Sequence, residues 1–399
     1  MPSDAKPKRV RIVAFDSMRF VLAMGIVLGH FVKFANPSDF VYKLCSQHNV
    51  IVGFFFALSG YMTAYTSTEN GERAASPRLV EAPAQKWILS RVFGYFPLHL
   101  MVLLLFAPMF LFVDVTYNGW PTALWNGLLS ATMTQAWFPF AAEVWNAPTW
   151  FLSSLTLATA CMPFALPKIA TLDQPGLRRM TGWLWVITVL HKVGYAADLN
   201  AWSIFEGITA PKAHPNIAVF NMIRFHPLGC IAEVFLGVLA CRLVMLDDNR
   251  QQSSSPLLPL LALVGVFVAK ATGHLAVSDV LLRSALALPL FLNLCMAIHR
   301  STVAGTKSLV RSLLSHPLLV SLGNLTFPIF ILHGPIGQVF FKKIVAKKLF
   351  GQVLQGPAYF GLYLVTTLVS AQILQTLFLE NSAVQNWSKK AVNQLSSWM

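Results

Sequence analysis

Charged residues are scarce in this sequence, and acidic residues are the scarcest of them. Only 12% of the 399 residues are Asp, Glu, Lys or Arg, whereas soluble domains carry about 25%. Lys and Arg number 30 against 16 Asp and Glu, which gives a formal net charge of +14. So little charge excludes a large soluble domain. No basic stripe with interleaved aromatic residues is present, so we expect no nucleic-acid partner.

Cysteine is also sparse, and its spacing is uninformative. The five cysteines form no CxxC pair and no pattern typical of metal ligands. We therefore expect no metal site and interpret the cysteines as small core residues. The sequence also lacks a repeat of fixed period and the inverted halves with matched broken helices that many transporters have. A polytopic transporter or flippase is kept as an alternative function.

Long apolar segments occupy most of the chain instead. Each is near the ~20 residues that a helix needs to cross a bilayer. The ten candidate spans are roughly 14–34, 50–66, 92–113, 150–167, 181–198, 227–246, 257–274, 279–298, 318–341 and 358–380. They predict an all-α, polytopic integral membrane protein with about ten transmembrane helices. The stretch 121–140 is broken by prolines, and we interpret it as an interfacial or re-entrant element, or else as an eleventh span.

The distribution of Lys and Arg predicts the orientation. Ten spans put both termini on one side, which carries 18 Lys and Arg against nine on the other. The positive-inside rule then places both termini in the cytoplasm. Loop 114–149 has no Lys or Arg, which fits the outside, whereas four lysines within 342–348 oppose this assignment. The protein would be a multi-pass protein of the plasma membrane or endoplasmic reticulum, in contact with membrane lipids.

The first apolar segment carries a cation and a titratable imidazole on one face. Arg19 and His30 are eleven residues apart, almost three helical turns, so their side chains share a stripe and lie roughly 16 Å apart along the axis. Ionisable residues inside a membrane helix are costly to bury and indicate a functional site. Arg19 would lie near one membrane face, where a guanidinium binds phosphate or a lipid headgroup. His30 would lie deep inside.

Six segments in chain order resemble one known family. They are AFDSMRFVLAMGIVLGH, VGFFFALSGYMTAY, SRVFGYFPLHL, WNAPTWFLSSL, AEVFLGVLACRL and SLGNLTFPIFILHGPI. Together they resemble the membrane-bound acyltransferase-3 family, which includes bacterial O-antigen and peptidoglycan O-acetylases. The resemblance covers residues 12–375. It divides the chain into a basic arm 1–13, an acyltransferase-3-like transmembrane domain 14–380 and a tail 381–399.

The resemblance implies an O-acyltransferase. Such an enzyme moves an acyl group, often acetyl, from acyl-CoA to a hydroxyl of a saccharide, lipid or small molecule. Arg19 and His30 match the family's Arg-x10-His motif, and Asp16 matches the Asp before it. His30 could be the general base that takes the proton of the acceptor hydroxyl, or it could itself be acylated. Arg19 would bind the phosphates of coenzyme A.

Two motifs depart from the family's pattern. Arg91 matches the first Arg of an RxxR segment, but Gly94 stands at the second, and Lys86 could compensate on the donor side. Trp150 opens the segment WFLS, yet the acidic residue that follows in many bacterial members is missing. Glu143 could replace it or be a solvated loop carboxylate. An inactive relative with the same fold is therefore a further alternative.

Two more matched residues lie in later spans. Glu233 could pair with Arg283 or orient His30. His333 could line the acceptor side or bond a backbone carbonyl beside Pro335. Ser59 and Gly60 are interpreted as residues that permit close helix packing.

Overall fold

The computed structural model describes residues 9–197, 216–247 and 255–398, and within these ranges its regular secondary structure is helical, apart from one isolated bridge between Thr68 and Ala75. The first helices are α1 (Ala14–Phe31), α2 (Asp39–Cys45), α3 (His48–Ser67), α4 (Pro77–Val80), α5 (Ala84–Val92), α6 (Phe96–Ala131), α7 (Trp150–Ala170), α8 (Gln174–Ala197), α9 (Ile217–Phe225) and α10 (Pro227–Met245). The remaining helices are α11 (Leu257–Ala271), α12 (Asp279–Leu282), α13 (Leu288–Val303), α14 (Leu309–Leu314), α15 (Pro317–Gly323), α16 (Thr326–Phe341), α17 (Lys343–Phe350), α18 (Pro357–Leu374) and α19 (Ser382–Trp398). The all-α, polytopic prediction is confirmed.

The number of spans is smaller than the ten predicted. In the described ranges, seven helices are long and apolar enough to cross a membrane, or eight if the bent pair of α15 and α16 counts as one. Of the other two expected spans, α11 has only 15 residues, about 22 Å of rise. Helix α8 is continuous, but the polar residues His191 and Lys192 interrupt its apolar stretch. Lys6, Lys8, Lys212 and Arg250, which entered the charge count, lie outside the described residues.

Helices α1 and α3 run antiparallel with a clear register. The Phe15 and Tyr61 rings are 5.5 Å apart near one end. At the other end a Cβ on Gly29 would lie 2.4 Å from the Cβ of His48. The N-terminal end of α1 therefore meets the C-terminal end of α3. Consequently the end of α1 that carries His30 meets the beginning of α3.

Helix α10 packs against α3 at two glycines. A Cβ on Gly60 would lie 1.8 Å from the carbonyl oxygen of Val234, and one on Gly237 would lie 1.9 Å from that of Ala57. The two backbones approach so closely that no side chain fits between them. This contact confirms that Gly60 is a packing residue.

Helix α6 is a hairpin folded at Gly119. Gly119 has φ 77° and ψ 168°, far from helical values. The carboxylate of Asp114 accepts a hydrogen bond from Asn126 at 2.9 Å, and the ring of His99 bonds the carbonyl of Ser130 at 2.8 Å. These contacts hold residues 120–131 back against residues 96–118. Twelve helical residues rise about 18 Å, so the returning arm is too short to cross the bilayer again.

Candidate active site

A pair of histidines brings together the first span and the last part of the chain. His30 Nδ1 lies 2.9 Å from His333 Nε2. Their rings are nearly parallel, at 4°, with centroids 5.2 Å apart. His333 is fully buried and His30 is partly buried. The structure thus joins two residues that the sequence places 303 positions apart.

Hydrogen bonds to the backbone of α16 near Pro335 hold His333 in position. Proline has no N–H, so the carbonyl of Ile331 loses its helical partner. The buried Asn146 side chain donates to that carbonyl at 2.9 Å. The hydroxyl of Tyr363 donates to the carbonyl of His333 at 3.2 Å. These bonds anchor the middle of α16 to a loop and to α18.

The hydrogen bonds determine which nitrogens of the neutral histidines carry protons. His333 Nδ1 lies 2.7 Å from the carbonyl oxygen of Phe330. A carbonyl only accepts, so His333 Nδ1 is protonated and a neutral His333 has its lone pair on Nε2. His30 Nδ1 therefore donates to His333 Nε2. The lone pair of His30 then lies on Nε2, the nitrogen that faces away from His333 and can take a proton.

A third histidine, His48, lies beside this pair and was missed by sequence reasoning. Its ring centroid is 4.5 Å from that of His30. The next residue, Asn49, accepts a hydrogen bond from Arg224 at 2.5 Å. Its position in the sequence could have revealed it. His30 is near the end of one span and His48 is at the beginning of the next, and these two ends meet when the spans run antiparallel.

Arg19 lies at the opposite end of α1 and is paired. Its Nη1 donates to Asp16 Oδ1 at 3.1 Å, while Arg11 donates to the other oxygen at 2.9 Å. One carboxylate thus holds two guanidiniums, which leaves net positive charge at this end. The side chain of Arg19 is 34% exposed and can still reach an anion. Asp16 itself positions the arginines.

Arg91 lies at the same end of the bundle as Arg19, on α5. Its Nη2 donates to Ser67 Oγ at 3.4 Å, and its guanidinium carbon is 5.2 Å from the centre of the Trp87 ring. Ser67 ends α3, next to the residue whose carbonyl accepts from Arg9. Lys86 is exposed on the same short helix. Arg91 and Lys86, two of the three basic residues predicted for the donor side, therefore share α5.

Glu233 belongs to a separate buried cluster. Its Oε1 accepts from Lys192 at 2.7 Å, and its Oε2 accepts from Arg283 Nε at 3.0 Å. Ser284 adds a bond at 3.3 Å. Arg283 and Ser284 begin a π-helical turn, residues 283–287, a distortion frequent at functional sites. Of the two alternatives for Glu233, the pairing with Arg283 is the one observed.

The two remaining predicted residues lie in different environments. Trp150 is buried, with its ring 4.9 Å from that of Phe225 and 6.1 Å from that of Phe56. Glu143 is exposed in the loop before α7. No group of three or more metal-ligating residues that could hold an ion occurs within the described ranges.

The fold and site define a class: a polytopic, all-α membrane protein with a histidine pair at one end of a helix and arginines at the other. The family is defined by sequence. The family model described as "Acyltransferase domain" matches residues 12–376, so the chain belongs to the membrane acyltransferase-3 family. No curated protein and no solved structure matches the chain.

Proposed function

We propose that the protein is a membrane-embedded O-acyltransferase that uses acyl-CoA as its donor, with acetyl-CoA as the first donor to test. The acceptor is a hydroxyl of a saccharide, lipid or small molecule. Family membership supports acyl transfer in general. The observation that carries the proposal is the bond between His30 and His333, because it leaves His30 Nε2 able to act as a base.

The reaction then proceeds without a covalent enzyme intermediate. His30 Nε2 takes the proton of the acceptor hydroxyl while the hydroxyl oxygen attacks the thioester carbonyl. The tetrahedral intermediate collapses, the carbon–sulfur bond breaks, and the protonated His30 returns the proton to the leaving thiolate. His333 holds His30 in the required tautomer through the 2.9 Å bond. The role resembles that of the acidic residue in a catalytic triad.

The donor enters from the arginine end. Arg19 and Arg91 offer guanidiniums to the phosphates of coenzyme A, and Lys86 adds charge nearby. The roughly 16 Å between Arg19 and His30 along α1 requires an extended donor whose thioester reaches inward. This arrangement favours a cytoplasmic position for the arginine end, since acyl-CoA is cytosolic, and it agrees with termini in the cytoplasm.

The test is thiol release by the purified protein. In proteoliposomes with acetyl-CoA and a crude glycan or lipid extract as acceptor, free coenzyme A should appear faster than in matched empty liposomes. Acetyl label should be found in the acceptor fraction. Release of no thiol with any extract would contradict the proposal and favour the transporter or the inactive relative. Gly94, which replaces the second Arg of the family's motif, is the observation that keeps the inactive relative in consideration.

A further inference from the structure

A cavity lies beside Arg91, and neither His30 nor His333 lines it. Its volume is about 140 Å³. The lining residues come from α3, α5, α7 and α10 and from the turn before α6; they are Ser59, Thr63, Trp87, Arg91, Tyr95, Leu155, Thr159, Met162 and Val234. A cavity of ~150 Å³ holds benzene, so this one has room for about six heavy atoms.

The wall chemistry suits a narrow chain with amide groups. Ser59 donates its hydroxyl proton to the carbonyl of Phe55 at 2.7 Å, and Thr63 donates to that of Ser59 at 2.8 Å. Thr159 donates to the carbonyl of Leu155 at 2.9 Å. Because these protons are engaged, the hydroxyl oxygens offer lone pairs. They can accept from amide N–H groups, of which the arm of coenzyme A carries two.

The cavity points from the arginine end towards the histidines. Arg91 is exposed and bonds Ser67 at the end of α3, whereas Ser59 lies two turns deeper on the same helix. Ser59 and His48 are eleven residues apart, so they share one face of α3. At the His48 end of this face, the His48 ring lies 4.5 Å from the ring of His30.

Aromatic rings close this route. Phe55 precedes Ser59 by one turn and Phe151 precedes Leu155 by one turn; their ring centroids are 6.1 Å apart. Phe151 lies 5.7 Å from Phe330, and Phe330 lies 6.0 Å from His333. The rings thus form a layer between the cavity and the histidine pair.

We propose that the cavity receives the thioester arm of the donor and that Phe55, Phe151 and Phe330 form a size filter in front of His30. Short acyl groups pass between the rings and long ones are held back. The inference rests on the proposed acyltransferase function. It assigns acyl-chain selection to three residues that hold no catalytic role.

The test compares donors of two to ten acyl carbons by thiol release. In Phe55→Ala and in Phe151→Ala, the ratio of kcat/KM for octanoyl-CoA to that for acetyl-CoA should rise at least tenfold, because one methylene in a fitted site is worth about 10–200-fold. Phe54→Ala is the matched control. Phe54 is a buried neighbour that stacks on Phe291 at 4.3 Å, away from the cavity, so this variant should keep the wild-type ratio.

Three further variants keep the test decisive if an alanine variant does not fold. Phe55→Leu and Phe151→Leu retain most of the volume and should shift the ratio in the same direction, by less. Thr159→Trp should fill the cavity and lower kcat/KM for every donor without changing the unfolding temperature. If the ratio of kcat/KM for octanoyl-CoA to that for acetyl-CoA is unchanged in all Phe55 and Phe151 variants, the size filter is overturned and the proposed acyltransferase function is unaffected. If the wild-type protein releases no thiol from any donor, the proposed function fails and the filter fails with it.

Discussion

At the scale of single residues, the proposed catalysis depends on the tautomers of His30 and His333. His333 Nε2 accepts a hydrogen bond from His30 Nδ1, because the Nδ1 of His333 itself donates to the carbonyl oxygen of Phe330. His333→Leu should lower the rate of transfer by about 10²-fold or more, since His30 loses its orienting partner. His333→Gln keeps an acceptor oxygen and should retain clearly more activity. Equal rates in both variants would contradict an orienting role; the measurement is single-turnover transfer of labelled acetyl.

The two arginines that bond Asp16 provide a matched pair of variants to test the donor site. Arg19 and Arg11 bond the same carboxylate, but the side chain of Arg11 is 73% exposed against 34% for Arg19. Arg19→Ala should weaken coenzyme A binding by about 1.5–3 kcal/mol, or roughly 10- to 150-fold, through loss of a charge-assisted contact. Arg11→Ala should have a much smaller effect. Calorimetry with the two variants decides the matter, and similar affinities would remove Arg19 from the donor site.

The sequence alone identified residues whose importance follows from a nearby motif or spacing. Arg19 and His30 share a helical face through a spacing that can be counted directly. His333 was found through its motif, but its bond to His30 depends on how two distant helices pack. His48 and Asn146 were missed because their significance arises only from tertiary contacts.

At the scale of helices, close backbone contact between α3 and α10 carries the packing. A Cβ on Gly60 would lie 1.8 Å from a carbonyl oxygen, so Gly60→Ala must push the helices apart. Overpacking of this kind costs about 1–3 kcal/mol. We expect a lower unfolding temperature in detergent. Gly265→Ala is the control, because its Cβ would meet nothing within 4 Å; equal shifts in the two variants would contradict the contact.

The sequence pattern did not predict the hairpin in α6. Pro121 and the polar residues of the stretch 121–140 indicated an interrupted element, but they left its form open. The contact between Asp114 and Asn126 brings together residues twelve positions apart, and this contact folds residues 120–131 back against the first part of α6. Hydropathy alone does not contain that information.

At the scale of the whole molecule, the orientation in the membrane is the main expectation still to be tested. Charge counting puts loop 114–149 outside and loop 67–91 inside. In a background without the five native cysteines, Glu143→Cys should react with an impermeant maleimide from the outside. Lys86→Cys should react only after the membrane is opened. Both residues are exposed, so reversed labelling would mean reversed orientation.

Acyl transfer in this protein should depend on His30, and a comparison with His30→Gln tests this dependence. Acetyl transfer and coenzyme A binding are measured for the wild-type protein and for His30→Gln, which keeps hydrogen bonding but cannot act as a base. In His30→Gln, transfer should fall by about 10²–10⁴-fold while coenzyme A affinity and unfolding temperature stay near the wild-type values. Near-full turnover by His30→Gln would contradict the account and leave His30 with a structural role.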